Sequence, residues 1–500
     1  MFEILIEGKI KLDMNTRVEK THRFDTKYYI KVIIGLFFMF GFGLLPPVHG
    51  LTVVGMKIIG IFFSLLFLWS AVGIVWPSIL GIIAFGMSGY APMTQVIASG
   101  LGSPVVWQLL MIMIISGAIT SSGLGEYIAR KIMSSEFTRG KPVTFIFLFL
   151  WSLFLVGVLS NAFAPLFLGW SIIYSIADMA GYKKRDKTIT ILLVFVTMIC
   201  GLGEFVIPFK GWQLALVESF NNITGITMSY TLFMAVAFII GTLIALIFAI
   251  SIKYVFKADL SKLNSFDPSV LQDFKQKKLT YRQKSYFFSF IFIVCATLLT
   301  TVLPDTWLLQ RILSSLTGNG IFALAVVLLC LIRVDGSPLL DFGEVAKSGI
   351  KWEVVFICAS IIPLASALTS KETGIIELIT RTVSPFFEGK SAAFVLALLI
   401  FLITAATNIG SNTGVALLFI PIAVPLAIAA NLSLQVVGIA VIYSACMGFI
   451  LPGASAISAV GYTNDWIAPK DMIRYASYGV LCYVVVSMPV YLILNIMLPN

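Results

Sequence analysis

The heptapeptide Thr407-Asn408-Ile409-Gly410-Ser411-Asn412-Thr413 interrupts an apolar stretch that runs from residue 391 to residue 430. A second stretch, residues 142–177, has 36 residues without a formal charge and carries Ser160-Asn161-Ala162 near its middle. Each is too long for one membrane span, which needs about 20 apolar residues. Basic residues flank residues 142–177 at both ends, so the chain enters and leaves on one face. Either it crosses twice, or it dips in and returns as a re-entrant hairpin. A polar turn at membrane depth is tolerated only where it lines a cavity or packs inside protein.

The composition makes lipid the solvent. Of 500 residues, 59% are hydrophobic and 12% charged, against roughly 25% charge in an ordinary globular domain, and the mean hydropathy is +0.99. This excludes a cytosolic enzyme, a nucleic-acid binder and a disordered chain. Beyond the two hairpin stretches, spans are expected near residues 30–45, 51–71, 73–89, 105–122, 189–219, 230–252, 286–303, 319–333, 352–369, 433–463 and 475–497. The first 28 residues show no cleavable signal pattern. The two histidines, His22 and His49, form no cluster, and no metal-ligand spacing links the six cysteines, which read as small packing residues. Residues 386–391 end in Gly389-Lys390-Ser391 like a phosphate-binding loop, but Ser384 stands where the first glycine belongs and no βα unit surrounds it. Neither a cofactor nor catalytic chemistry is expected.

Basic residues orient the spans, because cytoplasmic loops are enriched in Lys and Arg. With the N-terminus inside, 28 of the 34 basic residues fall in cytoplasmic segments. Arg311, Lys371, Arg381 and Lys390 fall outside, and only Lys57 and Lys210 lie within apolar spans. The net charge of +10 is thus a topology signal, with no nucleic-acid partner implied.

The two halves echo each other. Val105-Val106-Trp107 before Gly117-Ala118-Ile119-Thr120-Ser121 resembles Ile350-Lys351-Trp352 before Ser366-Ala367-Leu368-Thr369-Ser370, and Ser160-Asn161 and Ser411-Asn412 are 251 residues apart. The expected topology gives the halves opposite orientations, and inverted repeats with a central discontinuous site are a mark of secondary transporters. A parallel repeat or coincidental Ser-Asn pairs are the alternatives. After each hairpin stretch comes a span interrupted by Gly and Pro, Cys200 to Trp212 in the first half and Phe449 to Ser458 in the second. Such breaks free carbonyls for a cation and helix N-termini for an anion; the plainer reading of either one is a kinked helix.

At these residues the chain resembles the divalent-anion:sodium symporter family, the dicarboxylate and sulfate transporters. The family carries Ser-Asn-Thr at the tip of each of two re-entrant hairpins, and Ser411-Asn412-Thr413 matches it fully, followed by the apolar arm with Pro421. Leu451-Pro452, and Gly461-Tyr462-Thr463 before Asp471-Met472-Ile473-Arg474, also look like the family's second half. The first motif departs: Ala162 lacks the hydroxyl, and Val156 stands where Thr407 keeps one in the second half.

The resemblance implies an all-α polytopic membrane protein of about 11 transmembrane helices plus two re-entrant hairpins in an inverted repeat. It implies a secondary transporter of the plasma membrane that moves a small anion, a di- or tricarboxylate or sulfate, with sodium or a proton, by an elevator motion within a homodimer. Residues 1–28 would be a cytoplasmic segment, 29–137 and 286–388 the scaffold, 138–255 and 389–500 the moving part, and 256–285 a cytoplasmic linker. The anion would touch Ser160, Asn161, Asn412, Thr413, Ser455 and Lys210. A sodium ion would bind at Thr407, Ser411, Asn412 and the backbone of Ala454, oxygen ligands suited to a hard cation. An exchanger or proton-coupled carrier on the same fold is the nearest alternative; a channel or membrane enzyme is a remote one. Lys210 has three readings: a structural role, snorkelling or paired with Glu204, a direct contact to the anion, or an ammonium that stands in for the first sodium.

Overall fold

Backbone amides and carbonyls in lipid must find their partners within the chain, which for apolar runs of this length leaves helices. The computed structural model describes residues 25–48, 50–133, 140–264, 278–304, 306–334, 336–383, 385 and 389–498. The expectations placed on residues 1–24, both histidines, Arg139, residues 265–277 of the linker, and Ser384 with residues 386–388 lie outside the described residues. Among the described residues, nine helices are long and apolar enough to cross a membrane, or up to eleven if each of two bent pairs is one span. The fold is therefore the expected all-α polytopic one. Its strands among the described residues are the two-residue pair Arg333–Val334 and Ser337–Pro338.

Helix α1 (Thr26–Leu36) continues through a π turn (Phe37–Gly41), and α2 (Val53–Ala71), α3 (Val75–Met87) and α4 (Met93–Ser99) follow. Then comes a run that occurs twice. The first copy is α5 (Pro104–Ser121), α6 (Leu124–Met133), the hairpin α7 (Pro142–Leu159) and α8 (Phe163–Met179), α9 (Lys187–Glu204), α10 (Gln213–Thr224) and α11 (Tyr230–Tyr254).

 The first hairpin arm, α7, thus spans Pro142–Leu159. After α12 (Ser261–Asn264), α13 (Tyr281–Val302), α14 (Leu308–Leu331) and α15 (Phe342–Gly349), the second copy runs through α16 (Trp352–Thr369), α17 (Ile375–Val383), the hairpin α18 (Ala392–Ile409) and α19 (Asn412–Ala429), α20 (Leu434–Ala445), α21 (Ala456–Thr463) and α22 (Pro469–Met497). The single spans expected at residues 189–219 and 433–463 are each two helices, because Pro208 and the Pro452-Gly453 pair interrupt the backbone ladder there. The short helices α4, α6, α15 and α17 were absent from the expected spans; they are too short, and most too charged, to read as membrane segments.

Local chemistry sets the boundaries. Ser103 caps α5 by accepting from Val106 N, with Pro104 at the first helical position, and Ser391 caps α18 by accepting from Phe394 N. Helix α9 is buried on every side from Thr188 to Gly203, as a helix apolar all round must be, and packs against α7, α8, α11 and α22. Its approach to α7 depends on glycine: a Cβ on Gly203 would lie 2.3 Å from Phe154 O. Helices α10 and α20 both reach α19, so the second halves of the two repeats interlock.

Long-range loop contacts join segments expected on one side. Lys184 pairs with Asp465, and Gln283 Nε2 donates to Ser122 O at 2.7 Å, all in segments expected inside. Thr52 Oγ1 donates to Glu372 O at 2.8 Å, and Gln435 Nε2 to Thr227 O at 2.7 Å, all expected outside. One reading of a single residue needs correction: Cys295 is exposed rather than packed, because it lies on an outer face of α13. Lys57 lies within α2, as expected, and donates to Ser88 O at 3.2 Å.

Candidate functional site

Both hairpin tips and both helix breaks face one cavity of about 600 Å³, within the usual range of roughly 300–1,000 Å³ for small-molecule sites. Ser160, Asn161, Lys210, Ser411, Asn412, Thr413, Ala454 and Ser455 all line it. Thr407, the remaining expected site residue, lies one layer behind, against Asn412. Thr120 of α5, and Lys351 and Glu353 around the start of α16, close the opposite wall.

The two tips are chemically unequal. In the first, Ser160 Oγ donates to Val156 O at 2.7 Å, and Asn161 Oδ1 accepts from Phe163 N at 2.9 Å and Ala164 N at 3.2 Å. Asn161 therefore caps α8, and its amide nitrogen reaches Thr120 Oγ1 at 3.4 Å. In the second tip no side chain caps the first amides of α19, and neither the Ser411 nor the Thr413 hydroxyl has a hydrogen-bond partner among the described residues. An uncapped helix N-terminus with free hydroxyls beside it is suited to an anion.

Behind the second tip, oxygens converge. Thr407 Oγ1 lies 2.7 Å from Asn412 Oδ1 and 2.7 Å from Ala445 O. With the Asn412 amide turned the other way, its nitrogen donates to Thr407 Oγ1 at 2.7 Å, Ala454 O at 3.1 Å and Ala445 O at 3.3 Å. Nitrogen inward, every group is satisfied without a ligand. Oxygen inward, Thr407 Oγ1, Asn412 Oδ1, Ala445 O and Ala454 O converge with one hydroxyl proton among them, an arrangement that a cation would complete. Oxygen donors from a hydroxyl, an amide and two carbonyls fit a hard monovalent ion. Ser411, expected among these ligands, faces the cavity instead and makes no contact with the cluster. Ser455 lines the cavity as expected, and its hydroxyl also donates to Gly448 O at 2.6 Å and accepts from Ser458 N at 3.2 Å, so it holds the break and caps α21.

In the first half, Lys210 Nζ donates to Gly157 O at 2.6 Å and Val158 O at 2.8 Å, at the C-terminal end of α7. Among the described residues no ion pair joins it to Glu204, which corrects the paired reading; the carbonyls of α7 supply acceptors that Glu204 does not.

A sequence profile of the citrate transporter family, CitMHS, matches residues 64–448. The chain belongs to this citrate transporter family. The match takes in both tips, the first break and Thr407, and ends before Ala454 and Ser455. No curated protein sequence matches the chain. Among solved structures, the fold is similar to that of the YdaH transporter of Alcanivorax borkumensis, at 12% identity over 81% of this chain and 88% of that one, with a TM-score of 0.53. It is also similar to MtrF of Neisseria gonorrhoeae, described as illuminating a class of antimetabolite efflux pumps, at 14% identity over 93% of this chain and 95% of that one, again with a TM-score of 0.53. Those identities speak to the fold alone.

Several residues of the site escaped the sequence reading. Asn408 is buried and makes four bonds: its nitrogen donates to Thr404 O and Met447 O, and its oxygen accepts from Phe449 N and Ile450 N. It ties the hairpin to the second break, and its place in the polar heptapeptide was the available signal. Ala445 contributes only a carbonyl, for which a sequence holds no sign. Lys351, counted as a loop cation, lines the cavity with its ammonium 5.3 Å from the centre of the Phe163 ring.

Proposed function

We propose that this chain is a secondary transporter that moves a citrate-like di- or tricarboxylate together with a cation, sodium in the first place. The observation that carries the reading is the oxygen cluster of Thr407, Asn412, Ala445 and Ala454 directly behind an uncapped helix N-terminus that faces the cavity. The anion lies against the free hydroxyls of Ser411 and Thr413 and the amides of α19, with Ser160, Asn161 and Ser455 at the edges. Asn412 belongs to both sites, one side of its amide toward the cation and its helix end toward the anion. A cation beside an anion lowers the cost of burying each, so each ion raises the affinity for the other, which is the physical content of coupling.

The hairpins are read as re-entrant, with residues 138–255 and 389–500 moving as one unit against a scaffold of residues 29–137 and 286–388, within a homodimer of the plasma membrane. This elevator reading extends the resemblance to the divalent-anion:sodium symporters. Across the cavity the two parts meet where the Asn161 amide reaches Thr120 Oγ1 and Lys351 lies over the Phe163 ring, and beside it α10 packs on α16.

Uptake by the purified protein in proteoliposomes tests the proposal, with labelled citrate, succinate and sulfate as substrates and sodium or proton gradients as drivers. Saturable citrate uptake driven by inward sodium is expected. Uptake that follows a proton gradient alone, or that needs only an internal anion, would assign proton coupling or exchange instead. Flux that does not saturate would make the chain a channel and end the proposal.

A further inference from the structure

We propose that the Lys210 ammonium is a built-in cation that replaces an exchangeable one in the first half, so that a single sodium, held at the Thr407–Asn412 cluster, accompanies the anion. This rests on the transport reading above and fixes its cation count.

The register of the repeat carries the argument. Aligning Pro208 with Pro452 places Lys210 opposite Ala454, whose carbonyl belongs to the oxygen cluster. Where the second half offers an oxygen to a cation, the first half offers a cation. The ammonium lands on the equivalent helix end: its partners Gly157 O and Val158 O close α7, as Asn408 and Ile409 close α18. Carbonyls at a helix C-terminus have no intrahelical donors and carry the negative end of the dipole, so a positive group there is favoured.

The first half has also lost the means to hold a free ion. Val156 replaces the Thr407 hydroxyl and Ala162 lacks one. Asn161 turns its oxygen onto α8, and Ser160 spends its proton on Val156 O. Nothing like the four-oxygen cluster remains there. The two carbonyls that receive Lys210 are neutral and do not cancel its charge. Lys210 lines the cavity, with its ammonium on the carbonyls just before the first tip, so its field acts on whatever anion lies between the tips, as a bound sodium would.

The test uses purified full-length protein, with sodium titrated at constant ionic strength against choline and citrate as the anion. Thermal stabilisation by citrate is the readout, with proteoliposome uptake beside it. The wild type is expected to show a sodium Hill coefficient near one. Lys210→Met, close in shape but neutral, should bind citrate at least tenfold more weakly at any sodium concentration. The triple variant Lys210→Ala, Val156→Thr, Ala162→Thr should recover citrate binding as sodium rises, with a Hill coefficient approaching two. A wild-type coefficient near two overturns the inference without needing any variant to fold. So does a folded Lys210→Met protein with native citrate affinity. A wild type that ignores citrate at every sodium concentration would instead defeat the transport reading itself, and the two failures are distinct.

Discussion

Replacing Gly448 with alanine should disable the second-half cation site without unfolding the protein. A Cβ at residue 448 would lie 2.2 Å from Asn412 Oδ1, where ordinary contact begins at 3.4 Å. It cannot lean elsewhere, because Thr407 O at 3.1 Å and the Ala454 Cβ at 3.2 Å close the neighbouring sides. Relief must come from Asn412, whose side chain swings out and leaves Thr407, Ala445 and Ala454 without their fourth oxygen. Losing one polar partner in a dry site costs about 1–3 kcal/mol, and at 1.4 kcal/mol per factor of ten the half-saturating sodium concentration should rise roughly 5- to 150-fold. The assay is sodium-dependent citrate uptake at saturating citrate, paired with a sodium titration of thermal stability. Gly453→Ala is the control on the same break, since a Cβ there meets nothing within 4 Å, and its sodium dependence should be native. A folded Gly448→Ala protein with unchanged sodium affinity would refute the cluster as a cation site.

Three further outcomes are expected. Asn412→Ala should abolish uptake while leaving the protein folded, and a folded variant with normal transport would reduce the tip to a polar turn. Asn408→Ala should act on stability first: four bonds between the hairpin and the second break are lost, about 2–4 kcal/mol in all, read as a lower melting temperature without any ligand. A cysteine at Lys184 should react with impermeant thiol reagents only from the cytoplasm and one at Lys390 only from outside; labelling of both from one face would contradict an inverted repeat.

What could be read from the sequence follows from which signals are local. Apolar length is a property of contiguous residues, so most of the apolar spans and both hairpin stretches were legible. Interruption was legible too, but its consequence was not: residues 189–219 and 433–463 looked like single kinked spans, whereas Pro208 and Pro452-Gly453 divide each into two helices. Side-chain ligands such as Thr407 and Asn412 carry a chemical signature. Ala445 and Ala454 act through carbonyls that every residue possesses, and only the fold brings those two to the cluster. Ser455 shows the converse: its hydroxyl reads as a ligand in the sequence, and only the fold shows that it also binds Gly448 O and Ser458 N.

The unequal tips give the same lesson a functional turn. A repeat invites the expectation of two equivalent sites, and Ser160-Asn161 beside Ser411-Asn412 encourages it. Equivalence fails because a ligand role needs an unspent polar group. Asn161 and Asn412 are the same residue at the same tip position, yet one has committed its oxygen to the amides of Phe163 and Ala164, while the other keeps an amide that can present either nitrogen or oxygen to the cluster. Lys210 accompanies the first arrangement and a plain carbonyl the second. On the proposal above, a charge fixed in the chain sits opposite a site for an exchangeable one, and the number of ions moved per anion would follow from that asymmetry between residue 210 and residue 454.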